Sequence, residues 1–170
     1  MTDSSKDNVI GLVGYPGSGK DALAEALCRD HNYARYAFGD AVKHLLMEID
    51  PIYTDMETLE VFKREGIAST RQKLQRLGQA MRDRDKEYWL DRMPTTLYRR
   101  AVCTDIRYWN ELDYVKSRGG TIIAIERPSY GPINGHISER NTGQLIAAAD
   151  LKISNNDTLR HLVAQFLTVA

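Results

Sequence analysis

Seven residues near the start of the chain, Gly14-Tyr15-Pro16-Gly17-Ser18-Gly19-Lys20, have the spacing of a phosphate-binding loop: two glycines separated by four residues, then a lysine. Glycines let the backbone wrap so that successive N–H groups point inward at phosphate oxygens, and the lysine brings a full charge near the β- and γ-phosphates. A helix opening behind the loop adds its positive end. The pattern has meaning only between a strand and a helix, and both flanks qualify. Asn8 to Val13 is a short apolar run, and Gly19 to His31 reads as a helix with Leu23, Ala26 and Leu27 on its packing side. One position departs from the pattern. Asp21 stands where Ser or Thr ordinarily offers a hydroxyl to magnesium. A carboxylate is also a hard oxygen ligand, directly or through water. It adds negative charge beside a polyphosphate, so it needs the metal or an arginine nearby; otherwise the loop is degenerate. Intact Lys20 and all three glycines favour a working loop.

A second constellation lies on a helix. At 100° per residue over Ser69 to Asp85, the residues Arg71, Gln75, Gly78 and Arg82 fall within about 60° of one another. Leu74, Leu77 and Met81 form the adjoining apolar stripe, while Lys73, Arg76, Gln79 and Asp83 point away to water. Arginines at the edge of a buried face can look into a cleft or simply line a solvated boundary. Gly78, disfavoured in a helix by about 1 kcal/mol, would let a ligand or another backbone come close.

These residues need a frame to hold them. Tyr33 to Phe38 reads as a second, weaker strand, and helical patterns fill Asp40 to Ile49, Met56 to Glu65, Ser69 to Asp85 and Lys86 to Tyr98. Ala101 to Thr104 is a third strand. Asn110 to Ser117 is a short helix that Asn110 can cap, with Asp113 at its third position. Thr121 to Glu126 is an apolar strand, Pro128 to Asn141 a loop, Leu151 to Ser154 a last strand and Asp157 to Val169 the terminal helix. Strands alternating with helices imply an α/β fold: a five-stranded parallel sheet with helices on both faces and a helical insertion after the second strand. The 170 residues fit a single domain, with core segments at 8–38 and 100–170 and a helical region at about 39–99.

Composition narrows the function classes. A formal net charge of zero argues against bulk binding to nucleic acid or to an anionic membrane surface. No apolar run is long enough to cross a membrane, and the polar Met1 to Asn8 segment lacks the core of a signal peptide, so a cytoplasmic protein is expected. Cys28 and Cys103 form no zinc-ligand spacing. Fifteen arginines against eight lysines suit bidentate grip on phosphate.

With these residues in view, the chain resembles the bacteriophage-type deoxynucleoside monophosphate kinases, within the larger P-loop nucleoside-monophosphate kinase group. The stretches that carry the resemblance are GYPGSGKDA, FGDAVKHLL, RQKLQRLGQAMRDRDKEYWLDRM, CTDIRYWNELDYVKSRGGTIIAIERP, HISE and ADLKISNNDTL, in family order across nearly the whole chain. The GKD variant is shared with the animal phosphomevalonate kinases, so Asp21 is at home in such a loop. The resemblance implies a P-loop kinase fold with a helical monophosphate-binding insertion and a short lid loop at about 128–142. It implies that Tyr15, Pro16, Gly17, Ser18, Gly19, Lys20, Asp21 and Ala22 hold ATP phosphates, with Asp21 toward Mg2+. Asp40 and Lys43 would lie at the monophosphate site, Arg71, Gln75 and Arg82 on the substrate-binding helix, and Trp89 as its aromatic partner. Asp105 and Arg107 would sit at the end of the third strand, Arg127 at the opening of the lid, His136, Ser138 and Glu139 at its close, and Asn155 beside the adenine. Taken alone, Trp89 could equally be core, Asp105 a turn cap and His136 a surface residue. The cofactors implied are ATP and Mg2+, the partners small-molecule nucleotides and, as in many relatives of this type, a second copy of the chain.

The implied chemistry is phosphorylation of deoxynucleoside 5′-monophosphates by in-line transfer. The acceptor is already an anion, so charge neutralisation matters more than a general base, and Lys20, Arg82, Arg107 and Arg127 are the candidates for it. Two other functions share parts of the pattern: a P-loop kinase for a non-nucleotide phosphoester, and a nucleotide-sensing module without turnover.

Overall fold

The computed structural model describes residues 8–94, 97–128 and 137–169, apart from the side chains of 137–140. Five parallel strands, β1 (Asn8–Val13), β2 (Ala34–Tyr36), β3 (Arg100–Cys103), β4 (Thr121–Glu126) and β5 (Leu151–Ser154), form one sheet in the order β2-β3-β1-β4-β5. Central β1 pairs with β3 from Asn8↔Arg100 to Gly11↔Cys103 and with β4 from Ile10↔Thr121 to Val13↔Ala124. The strand order reverses at β1, and open α/β sheets bind ligands beyond the strand ends at such a point.

Both faces are covered because alternate strand residues point to opposite sides. Ile10, Leu12, Ile123 and Ile125 pack on one side against Leu23 and Leu27 of α1 (Lys20–His31) and against Leu162 and Phe166 of α7 (Leu159–Val169). Fully burying each such side chain contributes about 1.5–3 kcal/mol. On the other side lies α5 (Trp109–Ser117), held close by Gly11. A Cβ there would lie 2.7 Å from Ile122 Cδ1 and 3.3 Å from Val115 Cγ1.

The residues divide into two compact units, Met1–Ala37 with Thr95–Ala170, and Phe38–Pro94. The first contains the sheet. The second is helical: α2 (Phe38–Ile49), α3 (Met56–Glu65), a 3-10 turn (Ile67–Ser69) and α4 (Thr70–Arg84). Its core is Leu46, Tyr53 and Leu59, with Leu74 and Leu77 of α4 packed on them. Asp55 caps α3 by accepting from Thr58 N at 2.7 Å, and buried Tyr53 bonds Thr70 through their hydroxyls at 2.9 Å.

Three expected elements differ. Lys86 to Tyr98 forms turns rather than a helix in its described part. Asp85 is extended (φ −151°, ψ 114°) and its carboxylate takes Glu87 N at 3.0 Å. Bonds from Tyr88 N to Asp85 O and from Met93 N to Leu90 O follow, and Pro94 comes next. A carboxylate that captures the backbone two residues on competes with continued helix. At α5 the cap comes from Glu111, which accepts from Tyr108 N at 3.2 Å, rather than from Asn110 and Asp113. The expected loop to Asn141 ends earlier, because α6 spans Ile137–Ala147. Residues 129–136 of that loop, His136 among them, lie outside the described residues, as do the side chains of Ser138 and Glu139. No helix among the described residues is long and apolar enough to cross a membrane.

Candidate active site

The loop Gly14–Lys20 leaves the carboxyl end of β1 and enters α1. Its glycines are required by space and by torsion. A Cβ on Gly14 would lie 2.6 Å from both the Ile125 carbonyl oxygen and Ser18 Oγ, and Gly19 has φ 106° with Asn155 Nδ2 against its α-carbon. Gly19 occupies the N-cap of α1 and no side chain caps that end, so the positive pole of the helix faces the loop. Ser18 is buried; Tyr15 and Pro16 are half-buried, and Asp21 and Ala22 are exposed on the first turn of α1.

Lys20 turns back over this loop. Its Nζ donates to Gly14 O at 2.7 Å, to Tyr15 O at 2.9 Å and, more weakly, to Ser18 Oγ at 3.4 Å. Burial and the Arg107 guanidinium push its pKa down to about 8, against the opposing pull of Asp21 and Asp105. An ammonium held in such an environment gains from a neighbouring anion.

The remaining groups come from the carboxyl ends of the neighbouring strands. After β3 follow half-buried Asp105 and exposed Arg107. After β4 comes exposed Arg127, whose Nη1 donates to Gly17 O at 3.2 Å. After β5 comes Asn155, whose Nδ2 donates to Ser18 O at 2.9 Å while its backbone N bonds Glu126 O at 2.8 Å. Expected beside the base of a nucleotide, Asn155 here fastens the phosphate loop. Glu111, absent from the expected set, is 1% exposed, and its carboxylate accepts from Arg107 N at 2.8 Å as well as from Tyr108 N. The signal was present in the sequence: Tyr108 and Glu111 stand three apart at the helix start, the spacing of a capping box.

In the helical unit, only part of the expected stripe on α4 is set apart by burial, since Arg71 is as exposed as Arg76. Gly78 is buried, Gln75 and Arg82 are half-buried, and Arg71 and Arg76 are exposed. Lys73 departs from the solvent side by bonding Asp50 at 2.6 Å across the Tyr53 ring. The atoms nearest a Cβ on Gly78 would be Arg82 Nη1 at 3.7 Å and the Val42 methyls at 3.8 and 3.9 Å, ordinary contacts. Its carbonyl takes Trp89 Nε1 at 3.0 Å and Arg82 Nη1 at 3.4 Å. Trp89 has no exposed surface, so its ring is core and its N–H braces α4. Lys43 is likewise engaged, bonding Asp40 at 2.6 Å and Glu60 at 2.9 Å; these partners outweigh burial and raise its pKa.

Among the described residues no group of three or more His, Cys, Asp or Glu side chains forms a metal cage. Asp21 and Asp105, both close enough for their charges to act on Lys20, fit magnesium all the same. That ion ordinarily takes one or two carboxylates and completes its shell with phosphate oxygens and water.

Comparison with known proteins agrees with this frame. Shikimate kinase from Bacteroides thetaiotaomicron superposes with a TM-score of 0.52 at 12% identity, covering 95% of this chain and 97% of that one. Shikimate kinase from Acinetobacter baumannii, solved with shikimate, gives 0.52 at 14% identity, covering 95% and 92%. At such identities the likeness establishes the P-loop kinase fold alone. A protein of Acanthamoeba polyphaga mimivirus, provisionally named deoxynucleotide monophosphate kinase, is 27% identical over 183 residues and is covered to 94%, as is this chain. The family model for deoxynucleotide monophosphate kinase matches residues 51–166. On that match the chain belongs to the deoxynucleotide monophosphate kinase family and is a nucleotide kinase, a phosphotransferase.

Proposed function

We propose that the chain moves the γ-phosphoryl group of ATP to a deoxynucleoside 5′-monophosphate, with Mg2+ as the accompanying ion. An oxygen of the monophosphate forms the new P–O bond while the bond to the β–γ bridging oxygen breaks, and the electron pair leaves with ADP. The protein's part is then to hold the loop, orient the phosphates and neutralise the charge spread over the transferred group.

In this reading Lys20 serves the β- and γ-phosphates from within the loop, and Arg107 and Arg127 approach from the ends of β3 and β4. Asp21, with Asp105, would hold the magnesium ion, which supplies charge neutralisation at the phosphates. The helical unit Phe38–Pro94 would receive the monophosphate, through Arg71, Gln75 and Arg82 of α4. Trp89 and the Lys43–Asp40 pair support that unit from within instead of touching the substrate.

The observation that carries the proposal is Lys20. Its ammonium sits in a glycine loop at an uncapped helix N-terminus, in surroundings that push its pKa to about 8. Such a charge is best matched by a polyphosphate. A coupled assay of ADP release, run over a panel of deoxynucleoside and ribonucleoside monophosphates, tests the proposal. Turnover with at least one deoxynucleoside monophosphate is expected. Turnover only with non-nucleotide phosphoesters, or ATP binding without turnover on any acceptor, would refute it.

A further inference from the structure

The turn that carries Asp105 and Arg107 has an anchor beneath it. Glu111 on the first turn of α5 is 1% exposed, and one oxygen, Oε2, accepts from both Arg107 N (2.8 Å) and Tyr108 N (3.2 Å). Burying a carboxylate is unfavourable unless it is well hydrogen-bonded, and a helix this short could be capped by a surface Ser, Thr or Asn instead. An ordinary capping box also stops at the N-cap N–H, here that of Tyr108. This carboxylate reaches one residue further, to Arg107. The same turn is pinned at its start, where Thr104 N bonds Tyr36 O at 3.0 Å, and in its middle, where Ile106 is buried at 3% exposure. The backbone that leads from β3 to the Arg107 side chain is therefore held at its start, its middle and its end, with Glu111 holding the residue that bears the guanidinium. β3 pairs in parallel with β1, whose carboxyl end leads into the phosphate loop.

We propose that Glu111 is a positioning residue for phosphoryl transfer: it fixes the Arg107 backbone, and so the root of the guanidinium, at the carboxyl end of β3, next to the strand that leads into the phosphate loop. The inference rests on the assignment of Arg107 to the transfer. Removing the carboxylate leaves two backbone N–H groups to find other partners, and the turn shifts with them. Displacements of about 1 Å in such sites lower rates by as much as a hundredfold.

A double-mutant cycle tests this. Glu111→Ala should lower kcat by roughly tenfold to a hundredfold with KM for ATP little changed. Glu111→Gln keeps an acceptor oxygen at the same reach and should remain within about threefold of wild type. Arg107→Ala should be impaired on its own, and Glu111→Ala/Arg107→Ala should be no slower than Arg107→Ala, since no guanidinium is left to misplace. Losses that multiply in the double variant would overturn the positioning role, because a carboxylate that only stabilises the fold acts independently of Arg107. Glu111→Gln as slow as Glu111→Ala would also overturn it. Should Glu111→Ala fail to fold, Glu111→Asp, whose carboxylate withdraws by one carbon, enters the same cycle with the same expectations. Full activity in Arg107→Ala would refute the role of Arg107 itself, which separates that failure from a failure of the Glu111 inference alone.

Discussion

Lys20 gives the proposed mechanism a signature in pH. With a pKa of about 8 in place of 10.5, the ammonium loses its proton within reach of ordinary assays. kcat/KM for ATP follows the free enzyme, so it should fall on an alkaline limb centred near pH 8. At pH 9 about a tenth of the molecules would carry the charge, against about 97% for a lysine left at 10.5. kcat follows the complex, where phosphate oxygens beside Nζ favour the charged form, so its limb should lie at higher pH. Arg107 lowers the Lys20 pKa and Asp105 raises it. Arg107→Ala should therefore move the limb of kcat/KM up in pH and Asp105→Asn should move it down, whatever each does to the plateau. Lys20→Ala should abolish the limb and cost about a hundredfold or more in kcat. The assay is initial-rate kinetics from pH 6 to 10 with saturating monophosphate. A wild-type kcat/KM that stays level to pH 9.5 would refute the reasoning. So would limb shifts of the wrong sign.

The same shift bears on stability. Because the folded pKa lies below the unfolded one, the unfolded chain binds more protons between about pH 8 and 10.5. The penalty for the buried charge is present below that window and relieved across it, so melting temperatures of wild type should rise relative to Lys20→Met from pH 8 to 10.5. Arg82→Ala should lower kcat/KM for the monophosphate by roughly thirtyfold, a loss of about 2 kcal/mol, while exposed Arg76→Ala stays within about 0.5 kcal/mol of wild type. Equal effects in steady-state kinetics would show that α4 does not present Arg82 to the substrate. Asp21→Ala should raise the magnesium concentration for half-maximal rate, and Asp21→Ser should recover part of the loss; identical magnesium titrations would give the carboxylate another task. Gly78→Ala should stabilise the fold by about 0.5–1 kcal/mol in denaturant melts, since its Cβ meets only ordinary contacts, and a loss of stability would contradict the packing around Val42.

What was legible in the sequence follows the strength of local physics. Strands β1, β4 and β5 and helix α3 have the expected bounds, because each is a short apolar or strongly amphipathic run closed by polar or turn residues. The phosphate loop was legible because its glycines have no substitute. Lys86 to Tyr98 was misread because its periodicity is helical, while the Asp85 carboxylate diverts the backbone before the helix can continue. Helix α6 was missed because Gly143 lowers its propensity, although a Cβ at Gly143 would come within 3.1 Å of the Tyr15 hydroxyl. That contact spans 128 positions and no local pattern reports it. Trp89 and Lys43 show the same limit. The family resemblance marked them as candidates, but only the tertiary structure shows the indole N–H on a helix carbonyl and the ammonium between two carboxylates.

The carbonyls of the phosphate loop explain why side chains so far apart in the chain act together. Gly14 O and Tyr15 O accept from Lys20, Gly17 O from Arg127 and Ser18 O from Asn155. Two of these donors reach the loop from the ends of β4 and β5, so the sheet itself fastens the cradle. A loop whose outward carbonyls are already bonded keeps its shape without help from the ligand, and ordering it costs little when phosphate arrives. Asn155 can remain in place throughout. Lys20 and Arg127 differ, because an anion competes with a carbonyl for their charge. Moving an ammonium from two neutral carbonyls to phosphate oxygens gains more as negative charge grows on those oxygens, and charge-assisted bonds are roughly twice as strong as neutral ones. In the proposed transfer the gain would therefore be larger in the transition state than with ATP at rest, which is what acceleration requires. Lys20 can make that exchange because a single flexible ammonium bonds in any direction. Arginine, with its planar fork, bonds only near the plane of its guanidinium.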